Sequence, residues 1–216
     1  MVQAPDPFVI RRRIGRRALI AAFLAAVAAP AAARAMKVVT LLGDSITAGL
    51  GLPAAAALPA QLGAALARLG SPAIVRGAGV SGDTTADGLA RLDFSVRPDT
   101  AVCVVELGGN DLLEGVDPPQ VRANLEAIVR RLKARRIGVV LAGIAAPRAV
   151  GGDYAREFNA EFDAVARAER VPLYPNLLAG VGAALRQRDG IHPNAAGVKV
   201  IAAGLAPIVA RALRSR

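Results

Sequence analysis

The chain has 216 residues, 54% of them hydrophobic and 3% aromatic, with 27 basic side chains against 17 acidic ones and a net charge of +10. One histidine and one cysteine are present, so an intramolecular disulfide is excluded and the common zinc sets cannot be assembled. The basic excess does not point to nucleic acid. Its residues are scattered over helical patterns such as Arg130 to Arg136, with no recognition motif beside them.

About half of that charge lies in residues 1–35, which read as an export signal. Arg11, Arg12, Arg13, Arg16 and Arg17 form a basic n-region, and Ala18 to Ala33 is an apolar stretch. That stretch is short for a membrane span, which needs roughly 20 residues. Ala33-Arg34-Ala35 fits a small-x-small cleavage site, with Met36 as the new start. The Arg16-Arg17 pair suits a twin-arginine signal, and ordinary secretion also remains open. A periplasmic or secreted protein is expected, with residues 36–216 forming one domain.

Within that domain, short apolar runs alternate with longer helical patterns. Strands are predicted at Val38 to Leu42, Ala73 to Arg76, Ala101 to Leu107, Ile137 to Ala142 and Val171 to Tyr174. These runs are mostly continuous rather than alternating, as in strands covered on both faces. Helices are predicted at Pro59 to Leu69, Thr84 to Leu92, Pro118 to Arg136, Tyr154 to Arg170 and Asn194 to Arg214. Pro118 and Pro119 suit a first helical turn, and Asn194 suits an N-cap. Cys103 falls inside the third run and is expected to be buried and unreactive. Repeated β–α units predict an α/β fold, a five-stranded parallel sheet between two helical layers.

Ligands of such sheets sit beyond the carboxyl ends of the strands. The polar clusters fall there: Gly43-Asp44-Ser45 after the first strand, Ser81-Gly82-Asp83-Thr84 after the second, and Gly108-Gly109-Asn110-Asp111 after the third. A fourth cluster, Asp189 to Asn194, precedes the last helix and holds the single histidine, His192. A serine hydroxyl becomes a competent nucleophile only when a base removes its proton, and His192 is the one imidazole available to Ser45. Asp189, three residues upstream, can orient that ring and stabilise its charged form. The N–H groups of Ser45 and Gly82 and the side-chain amide of Asn110 are candidate donors to the oxyanion that acyl transfer generates. Asp44, Asp83 and Asp111 are expected to brace these loops rather than to hold a metal.

Taken together, Gly43-Asp44-Ser45, Gly82, Gly108-x-Asn110-Asp111 and Asp189-x-x-His192 resemble the four blocks of the SGNH, or GDSL-type, hydrolases. The similarity spans Met36 to Arg214 and is nearest to the bacterial thioesterase, lysophospholipase and arylesterase branch. It implies a flavodoxin-like three-layer αβα sandwich and hydrolysis of esters or thioesters through an acyl-serine intermediate. It also implies a periplasmic location and the need for no cofactor. By the same resemblance Ser45 is the nucleophile, His192 the base, Asp189 its orienting acid, and Ser45, Gly82 and Asn110 the oxyanion donors. The expected partner is a small acyl ester or thioester, with contact to lipid substrates open, no nucleic acid, and a monomeric chain.

Two stretches depart from the family pattern. Gly77-Ala78-Gly79 precedes the second block without the usual asparagine, and Ile144-Ala145-Ala146-Pro147 carries small side chains after the fourth strand. Both predict a shallower or more open acyl site. The alternatives are a carbohydrate O-deacetylase, disfavoured by the scarcity of aromatic rings for stacking, and a non-catalytic lipid-binding protein, which has no use for a base beside a serine. Nucleotide binding is not expected, because the first β–α turn carries neither a G-x-G-x-x-G fingerprint nor a P-loop.

Overall fold

The fold is built on β1 (Val38–Gly43), β2 (Ile74–Gly79), β3 (Thr100–Glu106), β4 (Gly138–Ala142) and β5 (Leu173–Tyr174). These come from a computed structural model that describes residues 36–216; the expected export signal at 1–35 lies outside the described residues. All neighbouring strands are parallel, in the order β2-β1-β3-β4-β5. The helices are α1 (Ser45–Ala48), α2 (Leu58–Arg68), α3 (Thr85–Ala90), α4 (Leu92–Ser95), α5 (Gly109–Glu114), α6 (Pro118–Ala134), α7 (Gly152–Glu169) and α8 (Ala195–Arg214). One set pairs α2 with α8 and the other joins α6 to α7 and α3, giving the αβα sandwich expected from the β–α alternation.

Strand order reverses between β1 and β3, and the crevice of a doubly wound sheet opens at that reversal. Gly43 and Glu106, the last residues of the two strands, stand side by side in register. Everything that follows them in the chain is therefore delivered to one place.

The central strands are buried on both faces: Val39, Leu41, Leu42, Val102 to Val105, Val140 and Leu141 are almost fully excluded from water. Burial pushes the Cys103 thiol up to about 12, so at neutral pH it remains a protonated, inert core group. The capping expectations hold at α6 and α8. Pro118 and Pro119 open α6, and the Asn194 side chain accepts hydrogen bonds from the Ala196 and Gly197 N–H groups at the start of α8.

Three differences have physical causes. First, β2 runs from Ile74 to Gly79 instead of ending at Arg76, and it is only partly buried. It lies at the sheet edge with a single partner, so the two-faced burial inferred for all strands fails there. Second, α1, α4 and α5 were not anticipated; at four to six residues each they are too short to show a helical period. Third, Thr84 is a cap rather than a helical residue, closing a reciprocal capping box with Asp87.

Gly79 has a role the sequence did not reveal. A Cβ built on it would lie 2.3 Å from the Ala48 nitrogen and 2.6 Å from the Asp44 carbonyl oxygen. Both neighbours are backbone, so neither can turn away. Gly79→Ala is expected to push β2 off the β1–α1 turn and to destabilise the fold by about 2–4 kcal/mol, as overpacking and strain do. Urea unfolding of the two proteins measures it.

Candidate active site

Ser45 is the first residue of α1, immediately after the β1 turn. The residue before it takes the capping duty: Asp44 Oδ1 accepts the Ile46 N–H at 2.9 Å. The Ser45 hydroxyl is thus left for other work, and it lies 2.8 Å from His192 Nε2, 147 residues away in sequence. On the other side of the ring, His192 Nδ1 meets Asp189 Oδ2 at 2.6 Å. A carboxylate can only accept there, so Nδ1 carries the proton and the Nε2 lone pair faces the serine.

The loop bearing this pair is held from several directions. Asp189 Oδ1 accepts the N–H groups of Ile191 (2.9 Å) and His192 (3.0 Å), which fixes the carboxylate relative to the ring. The Gln187 N–H donates to the His192 carbonyl at 2.8 Å, and the Gln187 side chain donates to the Leu50 carbonyl at 2.8 Å. Gln187 therefore staples the histidine loop to the exit of α1. The hydrogen bond from His192, followed by those from the backbone, lowers the Asp189 carboxyl to about 2 although it is exposed. It remains ionised at neutral and mildly acidic pH.

Gly82 sits on the loop after β2 with φ +91°, a conformation that side chains other than glycine's rarely adopt. The Asn110 amide, on the first turn of α5, donates to the Asp83 carbonyl at 2.7 Å and so touches the residue following Gly82. Asp111 reinforces the same junction: it accepts the Thr85 N–H (2.8 Å) and hydroxyl (2.6 Å), tying α5 to the start of α3. The structure thus brings Ser45, His192 and Asp189 into one hydrogen-bonded chain, and joins Asn110 to the Gly82 loop. Asp44, Asp83 and Asp111 all serve as braces, as expected. Among the described residues, no group of three or more metal-binding side chains occurs.

Sequence reasoning gave no role to Glu106 and Thr47, which lie beneath the serine turn. Glu106 is fully buried and receives the Thr47 hydroxyl at 2.6 Å, while its other oxygen has no partner. Gly43 leaves the room for this contact, since a Cβ there would overlap both side chains. Burial, and then the neighbouring Asp44, raise the Glu106 carboxyl well above the usual range. Its signal was a lone carboxylate in an otherwise apolar strand. Arg91, also overlooked, pairs with Asp83 and reaches the carbonyls of Gly43 and Ala78. Beside Ser45 and His192 lies a shallow depression walled by Ile46, Leu50, Leu52 and Val198.

A parallel αβα sheet with its polar loops gathered at the reversal of strand order is the architecture of the SGNH-type hydrolases. Residues 41–200 match the GDSL-like lipase/acylhydrolase family, and the chain belongs to it. It is 40% identical over 162 residues to esterase TesA of Pseudomonas aeruginosa, covering 74% of this chain and 81% of that one. With thioesterase 1/protease 1/lysophospholipase L1 of Escherichia coli it shares 38% identity over 165 residues, covering 75% and 78% of the two chains. Among solved structures, TesA superposes with a TM-score of 0.77 at 37% identity, over 82% of this chain and 99% of that chain. The SGNH esterase AlinE4 gives 0.69 at 40% identity, over 82% and 96%.

Burial raises the Asp44 carboxyl to about 6, outweighing the Ile46 N–H and the His192 ring that lower it. The native state therefore holds this proton more tightly than the unfolded chain does, and stability falls as pH rises from about 4 through about 6. Asp44→Asn keeps an oxygen able to cap α1 without the buried charge. The variant is expected to melt a few degrees above the wild type at pH 8, with the gap closing below pH 4; thermal melts across that range measure it.

Proposed function

We propose that the protein hydrolyses carboxylic esters or thioesters through an acyl intermediate on Ser45. The observation that carries this reading is the continuous chain Ser45 Oγ–His192 Nε2–Asp189, at 2.8 and 2.6 Å. His192 removes the hydroxyl proton as the serine oxygen attacks the acyl carbon, and Asp189 stabilises the imidazolium that results. The tetrahedral intermediate places its negative oxygen among the N–H groups of Ser45 and Gly82 and the Asn110 amide. Collapse expels the alcohol or thiol, which takes the proton from His192. Water, activated by the same imidazole, then releases the acid and restores the serine. No metal or cofactor is called for at any step.

The names borne by the relatives, esterase and thioesterase/lysophospholipase, support this substrate class. For chain length we favour short acyl groups. Ala145 and Ala146 after β4 add little bulk with which to wall a longer groove. We also retain export to the periplasm and action as a monomer, the first on the arginine-rich and apolar pattern of residues 1–35.

Ser45→Ala is expected to fold as the wild type does and to lose at least about 10⁴-fold in turnover. Asp189→Asn should lose roughly 10²–10⁴-fold, since the amide favours the wrong imidazole tautomer. Hydrolysis rates for p-nitrophenyl esters of two to sixteen carbons should peak at the short end. Equal turnover in wild type and Ser45→Ala removes the nucleophile assignment, and a sharp long-chain optimum removes the chain-length reading.

A further inference from the structure

We propose that Arg91 is a positioning residue that sets the spacing between the nucleophile turn and the Gly82 loop. The inference rests on the oxyanion site proposed above and deepens it. Arg91 stands at the junction of α3 and α4, with its side chain largely buried. Its guanidinium reaches three separate segments. Nη2 donates to the Gly43 carbonyl at 2.9 Å, two residues before Ser45. Nη1 donates at 2.9 Å both to the Ala78 carbonyl near the end of β2 and to the Ser95 hydroxyl. Nε donates to Asp83, the residue after Gly82.

A guanidinium is planar, permanently charged and rigid in its donor geometry. The Gly43 carbonyl, the Ala78 carbonyl and the Asp83 carboxylate are therefore referred to one flat plate. The Val80 N–H donates to the same Gly43 carbonyl at 3.1 Å, a second tie between the two turns. Asn110 joins through the Asp83 carbonyl. Gly82 and Asn110 are thus linked to Arg91 through one residue, Asp83, and Ser45 through two, Gly43 and Asp44. All four bonds end on groups of the protein itself, so any effect on catalysis passes through donor geometry. Displacing reacting groups by about 1 Å costs on the order of 10²-fold in rate.

The test compares wild type, Arg91→Met, Arg91→Lys, Asp83→Asn and Ser45→Ala on a short p-nitrophenyl ester. Active sites are counted by titration with an organophosphonate, and melting temperature is recorded for each variant. Arg91→Met is expected to lower kcat per titrated site by about 100-fold with KM within about threefold. Lysine keeps the charge without the fork and should recover only part of that loss. An alkylboronic acid, whose serine adduct is tetrahedral and anionic, should weaken in proportion to kcat/KM, while the acid limb of the pH profile stays in place.

A lower melting temperature with kcat per titrated site unchanged would reduce Arg91 to a stabilising brace and overturn the proposal, as would a loss confined to KM. If Arg91→Met does not fold, Arg91→Lys and Asp83→Asn decide. Each is expected to cost about tenfold or more in kcat, and unchanged kcat in both overturns the proposal. Activity surviving in Ser45→Ala would instead sink the acyl-serine reading itself. The two failures are therefore separable.

Discussion

One contact gives the molecule its chemical meaning: a hydroxyl at the end of the first strand touching an imidazole near the start of the last helix. That 2.8 Å contact joins residues 147 apart in sequence, and no local structure could produce it. It exists because five parallel strands deliver their loops to the same edge and the strand order reverses between β1 and β3. The core is thereby tied to the site. Buried apolar strands fix the ends of β1 and β3 side by side, and Gln187 fastens the histidine loop onto the exit of α1.

Charge in this region is divided by depth. The carboxylate that serves the imidazole is exposed, and its hydrogen bonds keep it ionised. Beneath the serine, burial raises both carboxyls, Asp44 to about 6 and Glu106 well above the usual range. The arrangement suits a reaction that develops negative charge beside Ser45, because a fixed anion under the same turn would oppose the oxyanion electrostatically. On the proposed mechanism, negative charge stands where it supports a cation on the ring, and burial disfavours it beneath the turn where the intermediate would form.

Much of this was legible in the residues, and the reason differs from case to case. His192 and Asp189 could be read because a single histidine leaves no competition and three residues suffice for the carboxyl to fold back. The order of strands and long helices could be read from continuous apolar runs and helical periodicity. The short helices could not, since fewer than two turns leave no period to detect. Gly77-Ala78-Gly79 looked like a variation in the substrate groove. Gly79 at least is demanded instead by the backbone of α1, which passes too close for any side chain. Arg91 looked like one more arginine on a helix, because its partners lie on strands and loops up to 48 residues distant and only the folded chain assembles them. Glu106 was visible as an anomaly in a hydrophobic strand, yet its meaning needed Thr47 and Gly43 around it.

That Asp44, and not Ser45, closes the amino end of α1 has a consequence for how this catalyst could change. On the proposed reading, architecture and reactivity fall to adjacent residues, so the folded state makes little demand on which heteroatom stands at position 45. Sulfur or selenium in place of oxygen would inherit the same helix, the same imidazole and the same surroundings. The scaffold is a socket into which a different nucleophile can be fitted while the framework around it keeps its shape.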